Sequence, residues 1–111
     1  MGRAHLGEFE QFLLYALIRI AIDDFAAGLE IARLIEARTG RAISPGAIYT
    51  GLTRLEARGL VLSRLGDPTP RRGGKRRRLY RITAHGRRIL AASHAALGEM
   101  ARGVAPSLQS S

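Results

Sequence analysis

The feature that most limits the fold is a helix whose two ends are both written into the sequence. Ser44 is an N-cap residue, and Pro45 follows at the first helical position, where its missing N–H costs nothing. Ile43 and Ile48 occupy the two positions of a hydrophobic staple. Ile48, Leu52 and Leu55 then recur on one face, and Tyr49, Thr50, Thr53, Arg54 and Ala57 are left on the other. Gly59 ends the helix. Residues 60–65 read as a short strand, and 66–74 as a turn-rich loop with two Pro and three Gly. Residues 76–83 read as a second strand with Tyr80 and Ile82 on one face. A one-faced helix is thus followed by a hairpin with a long tip.

Two helices are expected ahead of this unit. In 6–22, Phe9, Phe12, Leu13, Ala16, Leu17 and Ile20 recur at helical spacing, and Leu14, Ile18 and Ile22 fall on other faces. A helix apolar nearly all round is buried nearly all round, which in a small domain implies a second subunit against it. Asp23 and Asp24 offer turn and N-cap chemistry. A second helix fits 25–38, with Ala27, Ile31, Leu34 and Ile35 inside and Gly40 after its end. No strand is expected before the third helix, apart from a one- or two-residue bridge at Ala42 and Ile43. The last helix begins after Thr83. Leu90, Ser93, Leu97, Met100 and Val104 form a coiled-coil-like seam about two heptads long. Ile89, Ala92 and Ala96 make a neighbouring stripe suited to the domain itself. The tail from Ala105 is expected to be disordered.

Charge is distributed on one side of the chain. Residues 1–60 carry seven Arg and seven acids, and 61–111 carry eleven bases against Asp67 and Glu99, so the second half holds the whole net charge of +9. The densest part is 71–81, with Arg71, Arg72, Lys75, Arg76, Arg77, Arg78 and Arg81. Like charges crowded this closely repel one another, and a fold gains nothing from them unless an anion is near. A polyanionic partner follows, nucleic acid first and anionic membrane second. The basic run has no interleaved apolar residues, which disfavours the membrane surface.

Other classes fall away. Cysteine is absent, which removes disulfides, thiolate metal ligands and thiol nucleophiles, and fits a reducing compartment. The longest nearly apolar run, 12–22, is broken by Arg19 and is too short to span a bilayer. Glu8 and Glu10 stand where a secretory signal would be basic. His5, His85 and His94 are not at metal-ligand spacing and have no Cys or acid pair near them in sequence, so neither a metal nor catalysis is expected.

The third helix is the candidate reading element, since a helix fits the B-DNA major groove and its N-terminal half meets base edges. Gly46 and Ala47 allow close approach, and Ser44 with the first-turn N–H groups offers a phosphate site. Tyr49, Thr50, Thr53 and Arg54 supply hydrogen-bonding groups on the outward face. Any surface helix has a polar face, so this one gains its meaning from the basic hairpin beside it. There, Arg71, Arg72, Lys75 and Arg76 are the candidate phosphate contacts.

The run Ser44-Pro45-Gly46-Ala47-Ile48-Tyr49, followed by Leu52, Arg54-Leu55-Glu56, Gly59-Leu60-Val61, Tyr80-Arg81-Ile82-Thr83 and Gly86, resembles the PadR family of transcriptional regulators, and the likeness covers about 6–104. Residues 6–11 and 64–70 look like the short members of that family. The resemblance implies a repressor-type dimer on an inverted repeat, with the last helix packed against the partner's first. It places Tyr49 on the tyrosine carried near the start of the family's recognition helix. Leu29 stands where a Tyr often follows the helix-two Gly. No Trp occurs, so the flat aromatic drug site that some members build on a last-helix Trp is not supported.

The reading is a mainly α chain with a small β-hairpin. A winged helix-turn-helix domain spans 1–83, a dimerisation helix 84–104 and a tail 105–111. The expected function is cytoplasmic, homodimeric, sequence-specific binding of double-stranded DNA, without cofactor or catalysis. The alternative is a winged-helix module used for protein–protein or RNA contact. Candidate dimer residues are Phe12, Leu14, Ile18, Leu90, Leu97, Met100 and Val104.

Overall fold

The computed structural model describes residues 6–21, 24–67 and 77–109. Three helices come first: α1 (Glu8–Ala21), α2 (Gly28–Thr39) and α3 (Pro45–Ala57). A two-residue strand β1 (Ala26–Ala27) lies between α1 and α2. Strands β2 (Val61–Leu65) and β3 (Arg78–Ile82) follow, then α4 (Ala84–Ala101) and the short α5 (Ala105–Gln109).

The ends of α3 follow from its side chains. Ser44 Oγ accepts the Ala47 N–H at 3.2 Å, with Pro45 at the first position. At the other end Gly59 takes a left-handed φ of 78°. Its N–H reaches the Glu56 carbonyl, and the Leu60 N–H returns to the Leu55 carbonyl, both at 2.9 Å. This paired closure needs a residue without Cβ at the turn, and it sets Leu55 and Leu60 together in the core. Thr83 repeats the logic for α4. Its Oγ1 accepts the Gly86 N–H at 2.9 Å and donates to the Gly59 carbonyl at 2.8 Å, so the end of α3 and the start of α4 share one residue.

The sheet is antiparallel in the order β1-β3-β2, with Val61 opposite Ile82, Leu65 opposite Arg78 and Ala26 opposite Tyr80. Alternation puts Val61, Tyr80 and Ile82 inward. Helix α1 packs against α2, α3, β3 and α4. Leu13, Leu14, Leu17, Ile31, Leu52, Leu55, Leu60 and Val61 are fully buried. Each such side chain contributes about 1.5–3 kcal/mol of transfer free energy. Gly51 lets α1 and α3 approach: a Cβ there would lie 2.7 Å from Leu13 Cδ1 and 2.9 Å from a Phe9 ring atom.

Four expectations change. The second helix begins at Gly28, because Ala26 and Ala27 extend to pair with β3, and the bridge expected at Ala42 and Ile43 is not made. The N-cap of α2 is therefore Ala27, whose N–H is accepted by Glu30 Oε1 at 2.8 Å, while Asp24 caps only the turn at Phe25. Ile22 and Asp23 lie outside the described residues. Within the tail expected to be disordered, Ala105–Gln109 form α5, which buries nothing. Ala92 and Ala96 are exposed, and Ile89 alone of its stripe packs on the core.

The dimer set divides for a related reason. Leu14 and Leu90 lie in the chain's own core, so neither is a free apolar surface. The all-round apolar character of α1 is largely answered within one chain, with Phe12 and Ile18 half-buried against that core. Leu97, Met100 and Val104 remain exposed at 64%, 80% and 37%.

Candidate nucleic-acid interface

Helix α3 buries Ile48, Leu52 and Leu55, which turns Gly46, Ala47, Tyr49, Thr50, Thr53 and Arg54 outward. Tyr49 is 57% exposed. A Cβ on Gly46 would meet nothing, so that turn is open to a close approach. Ser44 is exposed, but its hydroxyl oxygen is already the cap acceptor. The Ala47 N–H goes to that oxygen, the Ile48 N–H goes to the Ser44 carbonyl, and Pro45 has none. The Gly46 N–H is thus the first-turn donor left for an anion.

The acids near this face are engaged. Glu10 holds Arg58 at 3.3 Å, and Glu8 holds Arg41 at 2.6 Å. Glu56 accepts from Ser63 Oγ at 2.7 Å, and that oxygen accepts from Arg78 at 2.9 Å. Arg54, beside them, has no carboxylate partner among the described residues. Its guanidinium remains available to an outside acceptor.

Of the basic run, Arg77, Arg78 and Arg81 are among the described residues. Arg77 and Arg78 are exposed where β3 leaves the loop, and the Gly66 N–H reaches the Arg77 carbonyl at 2.6 Å. The tip residues Arg71, Arg72, Lys75 and Arg76 lie outside the described residues. Arg81, in the same basic run, stands on β3 and is engaged by an aromatic ring. Arg64 and Arg81 each lie over the Phe25 ring, 4.6 and 5.2 Å from its centroid. Two positive groups on one aromatic ring are stabilised by its quadrupole. No periodicity links positions 25, 64 and 81, so no sequence signal announces that stack.

Among the described residues, Tyr80 is the one group whose titration is clearly shifted. Burial pushes its hydroxyl above the usual tyrosine range; Arg78 opposes the shift, and Tyr49 and Glu56 add to it. Of the histidines, His94 Nδ1 lies 2.9 Å from the Tyr15 hydroxyl and joins α4 to α1. Among the described residues no three His, Cys, Asp or Glu side chains gather as a metal site. No helix there is long and apolar enough to cross a membrane.

Residues 17–92, most of the chain, match the Transcriptional regulator PadR-like family. Transcriptional regulator Rv3488 of Mycobacterium tuberculosis is 41% identical over 95 residues, covering 80% of this chain and 83% of that protein. The chain belongs to the PadR-like family. It is therefore a transcriptional regulator rather than an enzyme, built on a winged helix-turn-helix. Solved structures agree in fold. Protein TA0346 of Thermoplasma acidophilum superposes with a TM-score of 0.72 at 26% identity, over 92% of this chain and 90% of that one. PadR of Bacillus subtilis, solved in complex with operator DNA, superposes with a TM-score of 0.62 at 17% identity, over 76% of this chain and 46% of that one.

In this PadR-like chain Leu29 is half exposed on α2, facing the cleft beside Tyr49. Sequence reasoning passed over Gly51, Arg58, Ser63 and Phe25. They set the α1–α3 distance, occupy Glu10, orient Arg78 and hold Arg64 with Arg81.

Proposed function

We propose that this regulator works in the cytoplasm as a homodimer that binds duplex DNA and represses transcription at an inverted repeat. The observation that carries the reading is the outward face of α3. It offers Tyr49, Thr50, Thr53 and an Arg54 without a carboxylate partner, beside a hairpin whose tip is the most basic run in the chain. The operator complex of the Bacillus subtilis structural neighbour supports it. In this reading α3 enters the major groove. Ser44, Gly46, Tyr49 and Thr50 set its depth against the backbone, and Thr53 with Arg54 meets base edges. Arg71, Arg72, Lys75 and Arg76 hold phosphates on the flank. Two-fold pairing of Leu97, Met100 and Val104, with Phe12 and Ile18 at the margin, presents two α3 helices to two half-sites.

Selection from random duplexes with the purified protein gives the operator, and titrations at one fixed salt then separate the roles. Arg54→Ala lowers the ratio of specific to random affinity about ten-fold or more, as removal of one good base interaction does. Tyr49→Phe lowers both affinities by similar factors. Alanine at all four wing-tip positions flattens the slope of log K against log salt by about 0.9 for each phosphate that the wing no longer neutralises. An unchanged ratio for Arg54→Ala together with an unchanged slope for the wing variant contradicts the reading.

A further inference from the structure

The face of the sheet turned from the core carries a pattern that the duplex reading leaves unused. Val61, Tyr80 and Ile82 point inward, so alternation turns Leu62, Arg64, Leu79 and Arg81 out. Leu62 stands opposite Arg81 and Arg64 opposite Leu79, which puts the two apolar and the two basic side chains on crossed diagonals. Helix α3 lies on the core side of this sheet, so its outward face is a separate surface.

Two charges on this face are held close together and left open. Both guanidinium carbons lie within 5.2 Å of the centre of the Phe25 ring. Among the described residues neither Arg64 nor Arg81 has a carboxylate partner. The one hydrogen bond that these two guanidiniums make there, from Arg64 to the Leu65 carbonyl, is long at 3.5 Å. Asp24, next to the ring in sequence, accepts the Phe25 N–H instead. A guanidinium held over a ring still presents its N–H fork to a bidentate acceptor. The ring offsets part of the repulsion between the two charges, and an outside anion offsets more.

The neighbours decide which anion fits. Leu62 is 46% exposed, and beside it and Arg81 a shallow hollow of about 330 Å³ reaches Thr83, Ala84 and Arg87 at the start of α4. A phosphodiester backbone would cover that apolar surface with polar oxygens and gain nothing from it. The wing tip shows the contrast: residues 71–78 have no apolar side chain among their charges, whereas here leucine and arginine alternate. Arginine set among apolar side chains is the composition of a contact between proteins. We propose that the outer face of the sheet docks an acidic amphipathic segment of a partner protein, with carboxylates on Arg64 and Arg81 and an apolar side chain in the hollow beside Leu62. The surface lies within one chain, at the opposite end of α4 from Leu97 and Met100.

The test uses the full ¹⁵N-labelled chain and a short capped peptide in which Glu and Leu share one face at helical spacing. One companion peptide has Gln for every Glu, and another has Ser for every Leu. The acidic peptide is expected to shift the amide resonances of Phe25, Leu62, Arg64 and Arg81, and to bind about ten-fold tighter than either companion. Arg64→Gln and Arg81→Gln stand on the surface and should each weaken it about five-fold, the upper value for one exposed ion pair. Leu62→Ser should weaken the acidic peptide and leave the Ser companion unchanged. A duplex of random sequence is titrated separately, and neither Arg variant should change its slope of log K against log salt. Equal binding of the Glu and Gln peptides overturns the proposal. So do resonance shifts centred on Leu97 and Met100, or full affinity in the double Arg variant. A duplex slope that falls by about 0.9 for each Arg removed also overturns it, because the face would then be a phosphate contact. The peptide titrations contain no DNA, so their failure leaves the duplex reading untouched.

Discussion

The two halves of α4 carry the same apolar rhythm and meet different fates. The first half is locked to the chain. Thr83 caps it and bonds back to Gly59, Gly86 sits against the Leu60 carbonyl, and Leu90 is buried. The second half keeps the spacing of Leu90 in Leu97 and Met100, yet both are exposed, and Val104 and Leu108 beyond them continue the exposed surface. Periodicity reports that a face is to be covered. It does not report whether the cover comes from the same chain or from another. Distance from the core decides that, and distance is a property of the folded chain.

Substitutions at the two ends should therefore fail in different ways. The largest effect is expected at Gly86→Ala, where the new Cβ would run into the backbone carbonyl of Leu60. Backbone cannot move aside as a side-chain tip can, so the whole domain should lose about 3 kcal/mol or more in urea denaturation. Leu90→Ala belongs to the same half and should cost about 2–3 kcal/mol by the same measurement. At the far end, Leu97→Glu should leave the far-ultraviolet circular dichroism intact, because the side chain stands in solvent within one chain. It should abolish dimer in light scattering, because pairing would bury a charge without a partner. If Leu97→Glu instead unfolds the chain, the two halves are not separate in role. The smallest effect is expected where the halves meet. Tyr15→Phe removes the hydroxyl that holds His94, an exposed contact at 2.9 Å. Thermal unfolding should register about 1 kcal/mol or less.

The same division explains what could be read before the fold was known. The ends of α3 were legible because caps are local chemistry: Ser44, Pro45 and Gly59 each act within four residues of their own positions. The outward set Tyr49, Thr50, Thr53 and Arg54 followed from those ends and one apolar stripe. Strand β1 was not legible. Alanine has little strand preference, and Ala26 and Ala27 extend only because Tyr80 and Leu79 lie opposite. Leu14 falls off the main stripe of α1 and Leu90 opens the seam of α4, which suits a partner for each, whereas the folded chain takes both into its own core. The stack of Arg64 and Arg81 on Phe25 was not legible either, because no spacing in the sequence joins the three. Gly51 gives no signal in a single sequence, because a glycine inside a helix reads as a weak point until the opposing Leu13 and Phe9 are placed.

Two copies joined through the exposed end of α4, gripping one duplex with two α3 helices, form the centre of this account. The direct measurement is the molar mass of the protein on a selected duplex, by sedimentation at several salt concentrations. A complex that holds twice 12.1 kDa of protein per duplex is expected, and Leu97→Glu should not form that complex at the same concentration. A single chain of 12.1 kDa bound with full affinity, or two-chain binding undisturbed by Leu97→Glu, would contradict it.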